Sequence, residues 1–217
     1  TQDLHSKLCK AVYEIGDTLR FQTEANASEI SRLKPKPSIA LKRMKINKGT
    51  CAEFGAADGM FCSNTRRLLL AGWDGIMIES DIELFKGLQK NTTGLSCVTL
   101  NQIVTPSSIN YILPGELDVL SMDTDGINDY DCWYAYTGIA KIVVIEINSS
   151  KEPLTEYLDE GASYITMFKL GIAKGYFLLC HTGNLIFLRN EYKHLFPELG
   201  GKHPIIDVEL YFKKDWL

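Results

Sequence analysis

The sequence predicts an α/β fold: an open, mostly parallel sheet with helices on both faces. Three observations predict it. Short apolar runs alternate with amphipathic stretches from about residue 48 to residue 189. The stretch Thr50 to Asp81 reads as strand, glycine turn, helix, strand and acidic end, the pattern of a first β-α-β unit. Polar and acidic residues follow several of the apolar runs, which is where ligands bind in open α/β sheets.

The elements follow in order. Leu4, Leu8, Val12, Ile15, Leu19 and Phe21 recur near the helical period and predict an amphipathic helix. Residues 28–48 carry Pro35, Pro37 and seven basic residues, which predicts an extended arm. Such an arm either covers a cleft and meets an anionic acceptor or is a solvated basic loop. The chain thus divides into residues 1–48, helix and arm, and residues 49–217, the sheet domain. Cys51 to Phe54 is a buried strand, Gly55 to Gly59 a small-residue turn, and Met60 to Ala71 a helix closed by Gly72. Ile76 to Ile78 is the second strand, with Glu79, Ser80 and Asp81 at its end.

Ile82 to Lys90 is the next helix, and Ser96 to Leu100 the third strand. Asn101 and Gln102 stand after it, as a plain polar turn or as partners of a base. Thr105 to Ser108 opens a short helix with hydroxyl caps. Leu117 to Met122 is the fourth strand, and it runs into Asp123, Asp125, Asp129 and Asp131. Lys141 to Asn148 is the fifth, ending in Glu146 and Asn148. A helix at 161–174 precedes two strands, Tyr176 to His181 and Asn184 to Arg189, joined as a hairpin at Gly183. A lone histidine such as His181 is either a packed structural residue or a base.

Composition excludes several classes. A net charge of −4 leaves no basic footprint for nucleic acid. No apolar run approaches the length of a membrane span, and no secretory leader stands at the start, so a cytoplasmic protein is expected. The six cysteines form no C-x-x-C pair and no zinc spacing, and several lie in apolar runs, which fits a reducing compartment.

The glycine turn points to a cofactor. Gly55 and Gly59 remove Cβ atoms where a backbone would approach a ligand, and a following helix would offer free N–H groups. Glu79 follows by about 20 residues, where an acidic side chain grips ribose hydroxyls. The pattern is E-x-G-x-A-x-G rather than G-x-G-x-x-G, with Glu53 and Asp58 flanking the turn. Two carboxylates repel a pyrophosphate and suit a ligand with a cationic centre. These residues resemble the first motif of class I S-adenosylmethionine-dependent methyltransferases, with Ala57 in place of the usual middle glycine. The resemblance implies a Rossmann-like fold with a seven-stranded sheet and a C-terminal antiparallel hairpin. It also implies that Glu53, Gly55, Ala56, Asp58, Gly59, Glu79, Ser80, Asn101 and Asp123 hold S-adenosylmethionine.

Ser63-Asn64-Thr65, Leu120 to Gly126, Val143 to Glu146, Gly161-Ala162-Ser163, Lys174-Gly175-Tyr176 and Asn184 to Phe187 extend the likeness. Together they resemble FkbM-like O-methyltransferases from about Lys48 to Arg189. That resemblance implies methyl transfer to a hydroxyl of a sugar, glycan or glycosylated natural product. Similar domains occur inside larger glycan-building proteins, which suits a start at Thr1, and an oligomer is compatible with it. The expected catalytic residues are Asp123, Asp125 and Glu146: they take a proton, orient the hydroxyl or hold a metal. A Mg²⁺ or Mn²⁺ site would draw on Asp123, Glu146 and Asn148; otherwise Glu146 only orients substrate or anchors a loop. A methyltransferase for another small molecule, a non-catalytic S-adenosylmethionine-binding domain and a nucleotide-sugar or NAD enzyme remain as alternatives. The missing G-x-G-x-x-G weighs against the last.

Overall fold

The computed structural model describes residues 37–124, 128–181 and 184–200. The amphipathic stretch 4–21, Cys9 and Asp125 lie outside these residues. Seven strands form one sheet: β1 (Thr50–Phe54), β2 (Asp74–Glu79), β3 (Cys97–Asn101), β4 (Glu116–Met122), β5 (Ile139–Glu146), β6 (Tyr176–His181) and β7 (Asn184–Arg189). Their spatial order is β3-β2-β1-β4-β5-β7-β6. The first five run parallel, and β7 lies antiparallel to both β5 and β6. The C-terminal hairpin is therefore present, with its second strand as the one against β5.

The described residues also form α1 (Pro37–Arg43) before β1 and, between strands, α2 (Arg66–Leu70), α3 (Ile82–Asn91), α4 (Ile109–Ile112), α5 (Asp129–Ala135) and α6 (Tyr164–Ala173). Two 3-10 turns, Asn190–Leu195 and Pro197–Leu199, follow β7. The pleat sends alternate side chains to opposite faces. Ala52, Val143 and Ile145 join one buried cluster with Ile109, Trp133, Tyr164 and Phe187. Cys51, Ile142 and Val144 join a second with Ala40, Leu41, Leu69, Leu88 and Phe177. Helices thus cover both faces. None of the helices among the described residues is long and apolar enough to cross a membrane.

Three local expectations change. The predicted extended arm contains α1, because Pro37 starts a helix, where its missing N–H costs nothing. Ala40 and Leu41 of α1 are buried in the core. The helix predicted from Met60 to Ala71 shrinks to the five residues of α2. Asp58 accepts hydrogen bonds from the N–H groups of Met60 and Phe61 and holds an Asx turn there. The Thr105 hydroxyl donates to the Ser108 hydroxyl, which also bonds the Thr105 N–H and carbonyl, and Ser108 makes no side-chain cap on α4.

Candidate functional site

The chain leaves β1 toward β2 on one side, while β4 adds on the other. That reversal opens a crevice beyond the carboxyl ends of β1 and β4. Phe54 pairs with Met122 at this point, and the Asp123 N–H donates to the Phe54 carbonyl at 3.2 Å. A cleft of about 510 Å³ lies there. Of the expected residues, Glu53, Gly55, Glu79, Ser80 and Asp123 line it. So do Phe61, Cys62, Leu84, Gln102, Ile103, Val104 and Thr124. Its described lining carries the carboxylates of Glu53, Glu79, Asp81 and Asp123 and no Lys, Arg or His.

Both glycines make room within the chain itself. Gly55 has φ +72°, and a Cβ there would stand 1.6 Å from the Asp123 carbonyl oxygen. It is required for β1 and β4 to come together beneath the cleft. Gly59, also at φ +72°, lies under a Leu88 methyl of α3, 2.5 Å from where its Cβ would be. Both admit another part of this chain. Ala57 takes φ +47°, a left-handed conformation, which explains a glycine at this point of the related motif. With α2 starting only at Arg66, the turn does not feed a helix N-terminus.

Glu79 is 7% exposed and braces the turn. One carboxylate oxygen accepts from Ala57 N–H and the other from Asp81 N–H, each at 2.8 Å. Each oxygen keeps a second lone pair. Asp81 caps α3 by accepting from Glu83 and Leu84 N–H. Asn101 does not line the cleft; its amide donates to the carbonyls of Glu79 and Ser80 and fixes the β2–α3 turn. Gln102, Ile103 and Val104, the next residues along, form that wall instead.

Glu53 is 2% exposed. It accepts from the Ser63 hydroxyl at 2.6 Å, the Asn64 N–H at 2.7 Å and the Thr65 hydroxyl at 2.7 Å. Burial pushes its pKa up; those three hydrogen bonds pull it back, and nearby Asp123 pushes it up again. Asp123 is half-buried, and its carboxylate accepts from the Asn184 side-chain amide at 3.1 Å. Asn184 starts β7, directly opposite Glu146. Asp129 is fully buried and shapes the loop after Asp123 by accepting from the N–H and the hydroxyl of Thr124. Sequence reasoning missed Asn184 as a partner, because only the antiparallel return of β7 brings it to the end of β4.

Of the three residues expected to hold a metal, only Asp123 lines the cleft. Asn148 holds its own loop: its oxygen accepts from the N–H and hydroxyl of Ser150, and its amide donates to the Glu160 carbonyl. Glu146 and Asn148 are not part of the cleft lining. Among the described residues no group of three His, Cys, Asp or Glu side chains is placed to hold a metal ion. His181 is buried with its ring edge-on to Tyr164, away from the cleft lining. Ala56, Asp58 and Gly59 shape the turn beneath the cleft and do not line it.

The strand order, the reversed β7 and the crevice at the β1–β4 switch define a Rossmann-like methyltransferase fold. Solved structures with this architecture include the bifunctional kinase-methyltransferase WbdD, with a TM-score of 0.52 and 14% identity over 71% of this chain and 37% of that one. They also include TehB from Haemophilus influenzae, with a TM-score of 0.49 and 10% identity over 70% of this chain and 61% of that one. A SAM-dependent methyltransferase from Aquifex aeolicus matches with a TM-score of 0.47 and 14% identity over 74% of this chain and 94% of that one. Many of the structural neighbours are SAM-dependent methyltransferases. No protein-family model matches the chain, and no curated protein matches it in sequence.

Proposed function

We propose that the protein is an S-adenosylmethionine-dependent O-methyltransferase acting on a hydroxyl of a sugar, a glycan or a glycosylated natural product. The observation that carries this reading is the cleft at the switch point, walled by carboxylates and by no described cation. Its volume lies within the roughly 300–1,000 Å³ of small-molecule sites. The acidic lining suits a ligand with a sulfonium and an amino group and disfavours a pyrophosphate. When bound, S-adenosylmethionine supplies a methyl group on a positively charged sulfur.

The chain's own residues do the rest. The remaining lone pairs of Glu79 would accept from the ribose hydroxyls, and Ile103, Val104 and Leu84, which line the cleft, would exclude water from the base. Asp123, oriented by Asn184, holds the acceptor hydroxyl. Its carboxylate would take the proton of that hydroxyl, a contribution of about 10²–10⁴-fold. Placing the hydroxyl in line supplies the remainder. The FkbM-like motifs support a sugar acceptor, and Asp125 is an expected second carboxylate beside it.

A methyl-transfer screen over neutral glycosides with labelled S-adenosylmethionine tests this. The expected result is incorporation into a base-stable methyl ether, with Asp123→Asn cutting turnover far more than it weakens cofactor affinity. Cofactor binding without turnover on any acceptor would favour a non-catalytic binding domain. Full turnover in Asp123→Asn would remove Asp123 from the reaction.

A further inference from the structure

We infer that Glu53 is a positioning residue: it sets the wall of the cleft formed by Phe61 and Cys62 by clamping the Ser63–Thr65 segment to the centre of the sheet. The inference rests on reading the cleft as the S-adenosylmethionine site.

The segment between the glycine turn and α2 has no helix to hold it. Cys62 itself takes φ +55°, so the wall is kept in a conformation that a free chain would leave. Glu53 lies on β1, its side chain buried. Its two oxygens take three donors from consecutive residues, Ser63, Asn64 and Thr65. The segment is held from a second side, because the Asn64 amide donates to the Ser121 hydroxyl of β4 at 3.1 Å. The Ser63 hydroxyl also accepts the Arg66 N–H at 3.1 Å and joins the clamp to the first turn of α2. Phe61 and Cys62 immediately precede the clamped triplet and line the cleft, with Phe61 58% exposed. The clamp beside these two residues supplies the fixed end. A buried carboxylate is costly unless its oxygens are satisfied, and here the satisfying donors all come from one segment.

A mutant cycle separates a positioning role from direct ligand contact. The affinity of S-adenosylhomocysteine is measured by calorimetry, well below each melting temperature. The variants are Glu53→Gln, the double variant Ser63→Ala/Thr65→Ala and their combination. Each alone should weaken binding by about tenfold, the scale of one to three lost hydrogen bonds, and the combination should be no weaker than the worse of the two. Ser63→Thr, which keeps the hydroxyl, should bind as the wild type does. The inference is overturned if Ser63→Ala/Thr65→Ala keeps wild-type affinity while Glu53→Gln loses it, or if the two losses multiply. Amide exchange without ligand supplies a second readout: exchange at residues 60–62 should rise alike in Glu53→Gln and in Ser63→Ala/Thr65→Ala. Unchanged exchange there overturns the clamp. Failure of the wild type to bind S-adenosylhomocysteine counts against the cofactor reading, and the exchange result then decides the clamp by itself.

Discussion

Two carboxyl-terminal rims of the same sheet use the same residue types to opposite ends. At the carboxyl ends of β1, β2 and β4, Glu53, Glu79 and Asp123 line a cleft. Beyond β5, Asn148 and Glu160 close a loop on themselves through hydrogen bonds within residues 148–162. The difference lies in topology. At β1 and β4 the connections depart in opposite directions and leave space. At β5 the antiparallel β7 returns alongside, and Asn148 N–H bonds the Ala162 carbonyl as the chain turns toward α6. A carboxylate or amide after a strand is therefore a site residue only where the neighbouring strands leave room.

The largest expected effect breaks the cleft rim. Gly55→Ala places a Cβ 1.6 Å from the Asp123 carbonyl and adds the cost of φ +72°. The rim must spread, and the loss should reach about 3 kcal/mol or more in urea unfolding. Cofactor binding should disappear with it. A Gly55→Ala protein of wild-type stability would contradict the close approach of β1 and β4.

The other rim gives the opposite pattern. Asn148→Ala removes hydrogen bonds to Ser150 and Glu160 and should cost about 1–2 kcal/mol of stability. Cofactor affinity should stay unchanged, because Asn148 does not line the cleft. Chelator treatment should leave turnover intact for the same reason: the oxygen once expected on a metal is held by Ser150. Activity lost to chelator and restored by Mg²⁺ would return Glu146 and Asn148 to the site.

A smaller effect concerns pH. Burial, opposed by the hydrogen bonds of Ser63, Thr65 and Asn64, holds the Glu53 pKa above the ordinary carboxylate value. The folded state therefore retains this proton more tightly than the unfolded chain does. That contribution to stability is complete below the ordinary carboxylate pKa and is lost as pH rises through the raised folded value. Glu53→Gln has no such proton, so its stability should change less over that window. Parallel slopes for the two proteins in urea titrations across the acid range would show that Glu53 titrates normally.

The sequence carried the sheet far better than the crevice floor. Strand positions were legible because Val143-Val144-Ile145 and similar runs have one reading once helices separate them. Glu79 and Asp123 were legible as strand-end carboxylates, and both line the cleft. Phe61, Leu68 and Leu69 fit a helical period over 60–71, yet only Arg66–Leu70 is helical. Side-chain bonds from Asp58 and Glu53 to this segment's backbone outweigh that period. The partners of Glu53 and Asp123 were not legible. Ser63, Thr65 and Asn184 reach them through tertiary contact, and nothing in their spacing announces it.

Hydrogen exchange with and without S-adenosylmethionine tests the contrast between the two rims directly. The account predicts that the cofactor slows exchange in residues 53–62, 78–84, 102–104 and 123–124 and leaves 146–162 unchanged. Protection centred on 146–162, or no protection at saturating cofactor, would contradict it.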